Sequence, residues 1–244
     1  MTDYALEDFK YVGSELELFG EALNWKNYYS RLMKPFIHGH VLEVGAGIGA
    51  NTPQLWNSKV TSWLCLEPDA ALHAKIVNKI ASNQMPVGCS SKNGFLSDLP
   101  TNNFFDTVLY VDVLEHIEDD KSELINAAAH LNAGGRLIVL SPSHDWLFSE
   151  FDTAVGHFRR YNRKSLNRIS PPTMHLEKQF YLDSVGTIAS LANRLILKKG
   201  HPNKSQIKVW DRFLVPASQI LDPCLGRRFG KTIVSIWLKP GEGG

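Results

Sequence analysis

The chain has 244 residues, 43% hydrophobic and 21% charged, enough to bury the core of one large α/β domain or of one domain with an added cap. Its 26 Lys and Arg against 25 Asp and Glu leave a formal charge of +1, which excludes a global attraction to nucleic acid or to an anionic membrane. Three cysteines (Cys65, Cys89 and Cys224) without paired metal spacing point to neither a disulfide framework nor a zinc site, and make a cytoplasmic location the expectation.

The first residues lack the basic-then-apolar pattern of a signal peptide, and no apolar run approaches the ~18 residues of a membrane span. Residues 1–38 are expected to be mostly helical. Leu16, Leu18, Phe19, Leu23, Trp25, Tyr28, Tyr29, Leu32, Met33 and Phe36 recur at three-to-four spacing, and Pro35 ends the second helix. These side chains either pack on a sheet edge or, for Trp25, Tyr28 and Tyr29, close over a ligand pocket.

From Val41 onward, apolar strand runs alternate with amphipathic helices. Strands are expected at 41–44, 63–66, 87–89, 107–111 and 136–141, and helices at 48–56, 70–81, 121–130 and 164–169. This alternation implies a mainly parallel, doubly wound α/β sheet with helices on both faces. The last part reads as a strand at 176–182, helices at 184–197 and 207–221, and a strand at 232–238, a sheet edge with an antiparallel member and a helical cover. The basic residues Arg194, Lys198, Lys199, Lys204 and Lys208 fit a solvated helix end.

Open parallel sheets bind ligands at the carboxyl ends of their strands, so the informative residues are those that follow each strand. After the first come Gly45, Gly47 and Gly49, where the missing Cβ permits positive φ and close approach of a ligand. After the second comes Glu67, about twenty residues past the glycines, where a carboxylate can accept both hydroxyls of a ribose. After the fourth come Asp112, Leu114, Glu115 and His116. The glycines alone also satisfy the dinucleotide pattern G-x-G-x-x-A, so an NAD-dependent oxidoreductase is one candidate class. Glu43, inside the first strand, argues for a different ligand: a buried carboxylate is costly without a cation or donors, and a ligand ammonium or sulfonium supplies the charge.

Four ordered stretches extend the pattern: Glu43-x-Gly45-x-Gly47-x-Gly49, Glu67-Pro68-Asp69, Asp106 with Asp112 to Ile117, and Leu131-x-x-Gly134-Gly135-Arg136-Leu137. Together they resemble the class I S-adenosylmethionine-dependent methyltransferases. Asp152-x-x-x-Gly156-His157-Phe158-Arg159-Arg160-Tyr161 is similar to a bacterial subgroup with a GH-x-RRY signature. The resemblance implies a seven-stranded Rossmann-like sheet with one antiparallel edge strand, N-terminal helices and a C-terminal helical insertion. It implies a single methyltransferase domain over 1–244, with a helical cap at 1–38, a cofactor-binding core at 39–142, and an acceptor-side loop, helical cover and last strands at 143–244. It further implies Gly45, Ala46 and Gly47 against the methionine part of the cofactor and Glu67 on the ribose. Pro68 would border the adenine, and Asp112, Val113 and Leu114 would lie beside the sulfonium and adenine. Many relatives carry an Asp four residues before the Leu of a Leu-Pro pair to read the adenine amino group. Here Leu99-Pro100 is preceded at that place by Phe95, so the main chain of Phe95 and Leu96, or Ser97 or Asp98, takes that role.

The acceptor is expected over the same strand ends, near Tyr28, Tyr29, Arg159, Arg160 and Tyr161. One of the adjacent arginines facing the pocket would favour an acidic acceptor, because guanidinium forks onto carboxylate or phosphate. A carboxylate acceptor needs no base; for a phenol, alcohol or ammonium, His157 or His144 is the natural proton acceptor. No metal is expected. The leading expectation is in-line methyl transfer to an O or N of a small molecule, lipid precursor or peptide terminus. The alternative is a non-catalytic S-adenosylmethionine-binding protein. Nucleic acid is not an expected partner, since no base-flipping motif and no interleaved basic and aromatic stretch is present.

Overall fold

The computed structural model describes residues 10–11, 15–192 and 203–241. Seven strands, β1 (Gly39–Val44), β2 (Val60–Glu67), β3 (Cys89–Asn93), β4 (Phe105–Val111), β5 (Leu131–Pro142), β6 (His175–Leu182) and β7 (Thr232–Leu238), form one sheet in the order β3-β2-β1-β4-β5-β7-β6. The first five pair in parallel, and β7 runs antiparallel to both β5 and β6. The antiparallel member expected in this part of the sheet is therefore β7, with β6 outside it. A dinucleotide-binding sheet of order 3-2-1-4-5-6 has no such insertion.

The central strands are continuous apolar runs because both faces are covered. Trp63, Leu109, Ile138 and Val234 bury on one face, and Leu42, Val108, Leu137 and Ile233 on the other. Helix α4 (Ala70–Ala81) follows β2 and has the bounds its periodicity predicts, with the Asp69 side chain accepting from the amides of Ala71 and Leu72. Helix α5 (Asp120–Ala129) follows β4 and is capped by Asp119, which accepts from the Ser122 amide; the shorter α6 (Glu150–Ala154) and α7 (Arg163–Ile169) follow β5.

Two expectations shift. The helix expected at 48–56 is only α3 (Thr52–Leu55), because Gly47 and Gly49 hold positive φ and keep the chain out of a right-handed helix until Pro53 opens it. The strand expected at 87–89 begins at Cys89 and runs to Asn93; Val87 is 95% exposed, and the polar Ser90-Ser91-Lys92 run of this edge strand carries no apolar signal.

At the N-terminus, α1 (Glu15–Gly20) and α2 (Leu23–Met33) lie against the C-terminal insertion. That insertion runs as α9 (Lys204–Val209), a π-helical turn (Trp210–Leu214) and α10 (Val215–Cys224). The joint is polar and specific: Trp25 N–H donates to Asp211 Oδ1 at 2.8 Å, and the Tyr28 hydroxyl donates to Asp222 Oδ2 at 2.8 Å. Lys204 and Lys208 are exposed on α9. Helix α8 is described over Ser184–Ala192; the rest of the helix expected there, with Arg194, Lys198 and Lys199, lies outside the described residues. Among those described, no helix is long and apolar enough to cross a membrane.

Candidate functional site

A cavity of about 1970 Å³ opens over the carboxyl ends of β1, β2 and β4, about twice the upper range of single small-molecule pockets. Its first wall is the turn after β1. Gly45, Gly47 and Gly49 have φ of +66°, +59° and +66°, and a Cβ on Gly45 would come within 2.7 Å of both Val113 methyls. The turn closes on the sheet through Ala46 N–H to Leu66 O at 3.0 Å, and on the next strand end through Gly47 N–H to Glu67 Oε2 at 2.7 Å.

Glu67 lines the cavity, with its other oxygen accepting from Asp69 N–H at 2.9 Å. Burial pushes its carboxyl up to about 7, against the pull of the two amides. Each carboxylate oxygen has two lone pairs, so both can still accept from a ligand. Gly45, Ala46, Gly47 and Pro68 border the same space, as do Phe95, Leu96 and Val113. Asp98 turns away to accept from Phe95 N–H at 2.7 Å, which leaves the backbone and Phe95 itself facing the cavity.

Glu43 and Leu114 do not border it. Glu43 is 1% exposed and accepts from the Thr52 hydroxyl at 2.6 Å and the Trp63 indole N–H at 2.9 Å. Burial raises its carboxyl to about 7; the two donors and then the Lys26 charge moderate the rise. Both donors meet Oε2, so Glu43 ties α3 and β2 beneath the glycine turn with Lys26 as the nearby positive charge, while its Oε1 accepts no hydrogen bond among the described residues. Leu114 is fully buried, its carbonyl accepting from the Tyr161 hydroxyl at 3.2 Å.

The second wall is the end of β4 and the segment after β5. Asp112 takes φ of +54° and opens into the cavity, where the surrounding protein raises its carboxyl to about 6, an effect reduced by His157 and Lys231. Glu115 is completely buried; burial and then Asp112 hold its carboxyl well above the usual range. Ser141 lies near it, but neither Glu115 oxygen accepts a hydrogen bond of ordinary geometry. His157 and Arg160 line this wall, and both bind Asp152. His157 Nδ1 meets Oδ1 at 2.8 Å, while the Arg160 fork meets Oδ1 and Oδ2 at 2.8 and 2.9 Å. Ser149 adds its amide and hydroxyl at 2.8 and 2.9 Å. These bonds outweigh burial and hold the Asp152 carboxyl well below the ordinary aspartate range.

Of the other expected acceptor and base residues, only Tyr29 borders the cavity. Arg159 meets Asp120 at 2.6 Å and the Glu118 carbonyl at 2.8 Å, and Tyr161, 1% exposed, donates to Asp120 at 2.8 Å. Tyr28 is buried on Asp222 and Arg227; only Tyr29 of that pair reaches the cavity. Its hydroxyl donates to Asn51 at 2.9 Å. His144 is stacked on Tyr181 at 5.1 Å and on Trp146 at 5.3 Å, away from the cavity. Each displacement has the same cause: a long polar side chain next to the pocket in sequence finds a carboxylate or a ring inside the fold first.

One contributor escaped the sequence, and a second was named there without a role. Lys26 lines the cavity and donates to the carbonyls of Gly20 at 2.9 Å and Ala50 at 3.3 Å; burial and then Lys79 lower its pKa to about 8. Nothing local marks it, since its partners are loop carbonyls. Asp152 was readable, five residues before His157 and eight before Arg160, as the acid that both could share.

A family model described as a methyltransferase domain matches residues 19–176. Among solved structures, an S-adenosylmethionine-dependent methyltransferase from Clostridium acetobutylicum is 12% identical over 96% of this chain and 94% of its own, with a TM-score of 0.55. Coclaurine N-methyltransferase bound to N-methylheliamine and SAH is 11% identical over 89% and 72%, with a TM-score of 0.61. The (4+2)-cyclase SpnF is 14% identical over 94% and 95%, also at 0.61. At such identities the likeness is one of fold. No curated protein matches the chain.

Proposed function

The chain belongs to the methyltransferase-domain family, and on that premise we propose that its cavity binds S-adenosylmethionine and transfers the methyl group to an oxygen or nitrogen of a small molecule, lipid precursor or peptide terminus. The observation that carries this reading is Glu67: a buried carboxylate at the end of β2, aimed into the cavity and fixed to Gly47 of the glycine turn. Its spare lone pairs suit two ribose hydroxyls. Val113 packs directly on Gly45, where a Cβ would collide with its methyls, and this close packing sets the shape of the turn that borders the cavity. The bound cofactor supplies an electrophilic methyl carbon, and the protein has to aim an acceptor at it. Alignment of two bound reactants lowers a barrier by roughly 7–11 kcal/mol, against about 3–5 kcal/mol from a positioned base.

His157 is the candidate base. Asp152 accepts from Nδ1, so the neutral ring carries its proton there and offers Nε2 as acceptor. Arg160 is engaged by Asp152 and Arg159 by Asp120; with Asp112 and Glu115 on the same wall, an acidic acceptor loses its support. An acceptor hydroxyl or amine fits that wall better. Within the Gly156 to Tyr161 segment, His157, Phe158 and Arg160 then face the acceptor side, while Arg159 and Tyr161 frame it. Incubating the protein with cell extract and a deuterated-methyl cofactor, then searching by mass spectrometry for products heavier by one labelled methyl, tests the reading. Absence of any labelled product, with the cofactor bound, would leave the non-catalytic alternative.

A further inference from the structure

We propose that Glu115, His116 and His157 form a binding site for a divalent transition-metal ion on the acceptor wall of the cavity. All three border the cavity, and one donor atom from each lies within 4.8 Å of the other two. The sequence, read for paired cysteines, gives no hint of it. The first two residues are adjacent in the 3-10 turn Leu114–His116 that follows β4, and the third arrives some forty positions later on the segment after β5.

Three observations point to a cation there. Glu115 is completely buried with neither oxygen accepting a hydrogen bond of ordinary geometry. A carboxyl buried without a partner carries its desolvation uncompensated, and a bound cation offsets it. His157 is already oriented as a ligand, with Nδ1 held by Asp152 at 2.8 Å and Nε2 facing Glu115 Oε1 at 3.9 Å. A carboxylate behind a ligating imidazole is the usual outer partner of a metal-bound histidine, fixing its tautomer and raising its basicity. Finally, the Arg160 fork holds that carboxylate from the other side, so the outer shell is itself rigid.

The donor set selects the ion. Two imidazoles and one carboxylate suit zinc, manganese, iron or cobalt, whereas magnesium and calcium favour all-oxygen sites. Metal–ligand bonds of about 2.0–2.2 Å bring ligand atoms to ~3–3.5 Å apart, so binding draws the three side chains together by about 1 Å. Three protein ligands leave at least one position open toward the cavity, where an oxygen of the acceptor can bind; with the ion on Nε2, His157 no longer serves as base, and the ion instead lowers the pKa of the bound hydroxyl so that its proton passes to solvent. That consequence rests on the methyltransferase reading; the site itself does not.

The test uses the full chain freed of metal by a chelator and titrated with Co²⁺, whose visible absorption reports nitrogen ligation. S-adenosylhomocysteine binding and thermal unfolding are measured in parallel. The expected result is a saturable one-to-one band in the wild-type protein, weakened at least tenfold in Glu115→Gln, His116→Gln and His157→Gln, and about tenfold or more in Asp152→Asn. S-adenosylhomocysteine affinity should stay within threefold. Any variant that fails to fold is set aside, and the others decide on the same band. No band in the wild type, or the same band in the folded variants, overturns the proposal. Cobalt binding without S-adenosylhomocysteine binding would refute the methyltransferase reading alone; the reverse would refute only the metal site.

Discussion

Glu67 and Gly47, twenty positions apart, are joined by a 2.7 Å hydrogen bond from the Gly47 amide to the Glu67 carboxylate. The bond makes the turn after β1 and the end of β2 one rigid object. Without it, burial of Glu67 would have only the Asp69 amide to set against it.

That geometry makes Gly45 sensitive to a single methyl group. Gly45→Ala forces a non-glycine residue to φ near +66° and brings its Cβ to 2.7 Å from the Val113 methyls. The expected cost is about 1–3 kcal/mol of stability. S-adenosylhomocysteine affinity should fall at least tenfold, read by calorimetry beside a thermal melt.

Glu67 also sets a pH dependence. Its carboxyl is raised to about 7, and a ribose hydroxyl donates much more strongly to the ionised form, in which both oxygens accept. S-adenosylhomocysteine affinity should therefore be full above pH 7 and decline as pH falls through it, by roughly tenfold between pH 8 and 6. In Glu67→Gln the affinity should be low and flat across that range. The sign for the empty fold is opposite: a raised carboxyl contributes stability below its unfolded value of 4.5 that is lost as pH rises through about 7.

Asp152 should matter most for stability. Asp152→Ala leaves the Arg160 guanidinium, 14% exposed, without its fork partner and frees the His157 ring. Breaking a buried pair from one side costs about 3–5 kcal/mol, a shift visible in urea unfolding. Because the Asp152 carboxyl is held low by its donors, its contribution is present above the unfolded aspartate range and should vanish only in strong acid.

Tyr161 offers a contrast. Its hydroxyl reaches Asp120 and the Leu114 carbonyl, and Asp120 keeps Arg159 when the tyrosine is removed. Tyr161→Phe should cost about 1 kcal/mol, or roughly 2–4 °C in melting temperature, with S-adenosylhomocysteine affinity unchanged. A large loss of affinity with little loss of stability would instead mean that the ring touches ligand.

The elements legible in the sequence were those with one dominant local cause. Helix α4 has an Asp69 cap and an uninterrupted apolar period, and β7 is a continuous apolar run at 232–238; both have the bounds expected. The helix after the glycine turn was overextended because apolar spacing says nothing of the positive φ at Gly47 and Gly49. Gly45, Gly47, Glu67 and Asp112 border the cavity, a placement that was readable because strand ends fix it. The places of Glu43, Arg159, Tyr161 and His144 were not, because their partners Trp63, Asp120 and Tyr181 arrive from other elements. A motif shows that a charged residue has a use; only the fold shows which opposite charge it meets first.

The cofactor site is tested most directly by calorimetric titration of the folded protein with S-adenosylhomocysteine, with NADH as the comparison ligand. Saturable one-site binding of S-adenosylhomocysteine, weakened at least tenfold in Gly45→Ala, and no binding of NADH are expected. A folded protein that gives no heat with S-adenosylhomocysteine at millimolar concentration, or that binds NADH in its place, would contradict the assignment of this cavity to S-adenosylmethionine.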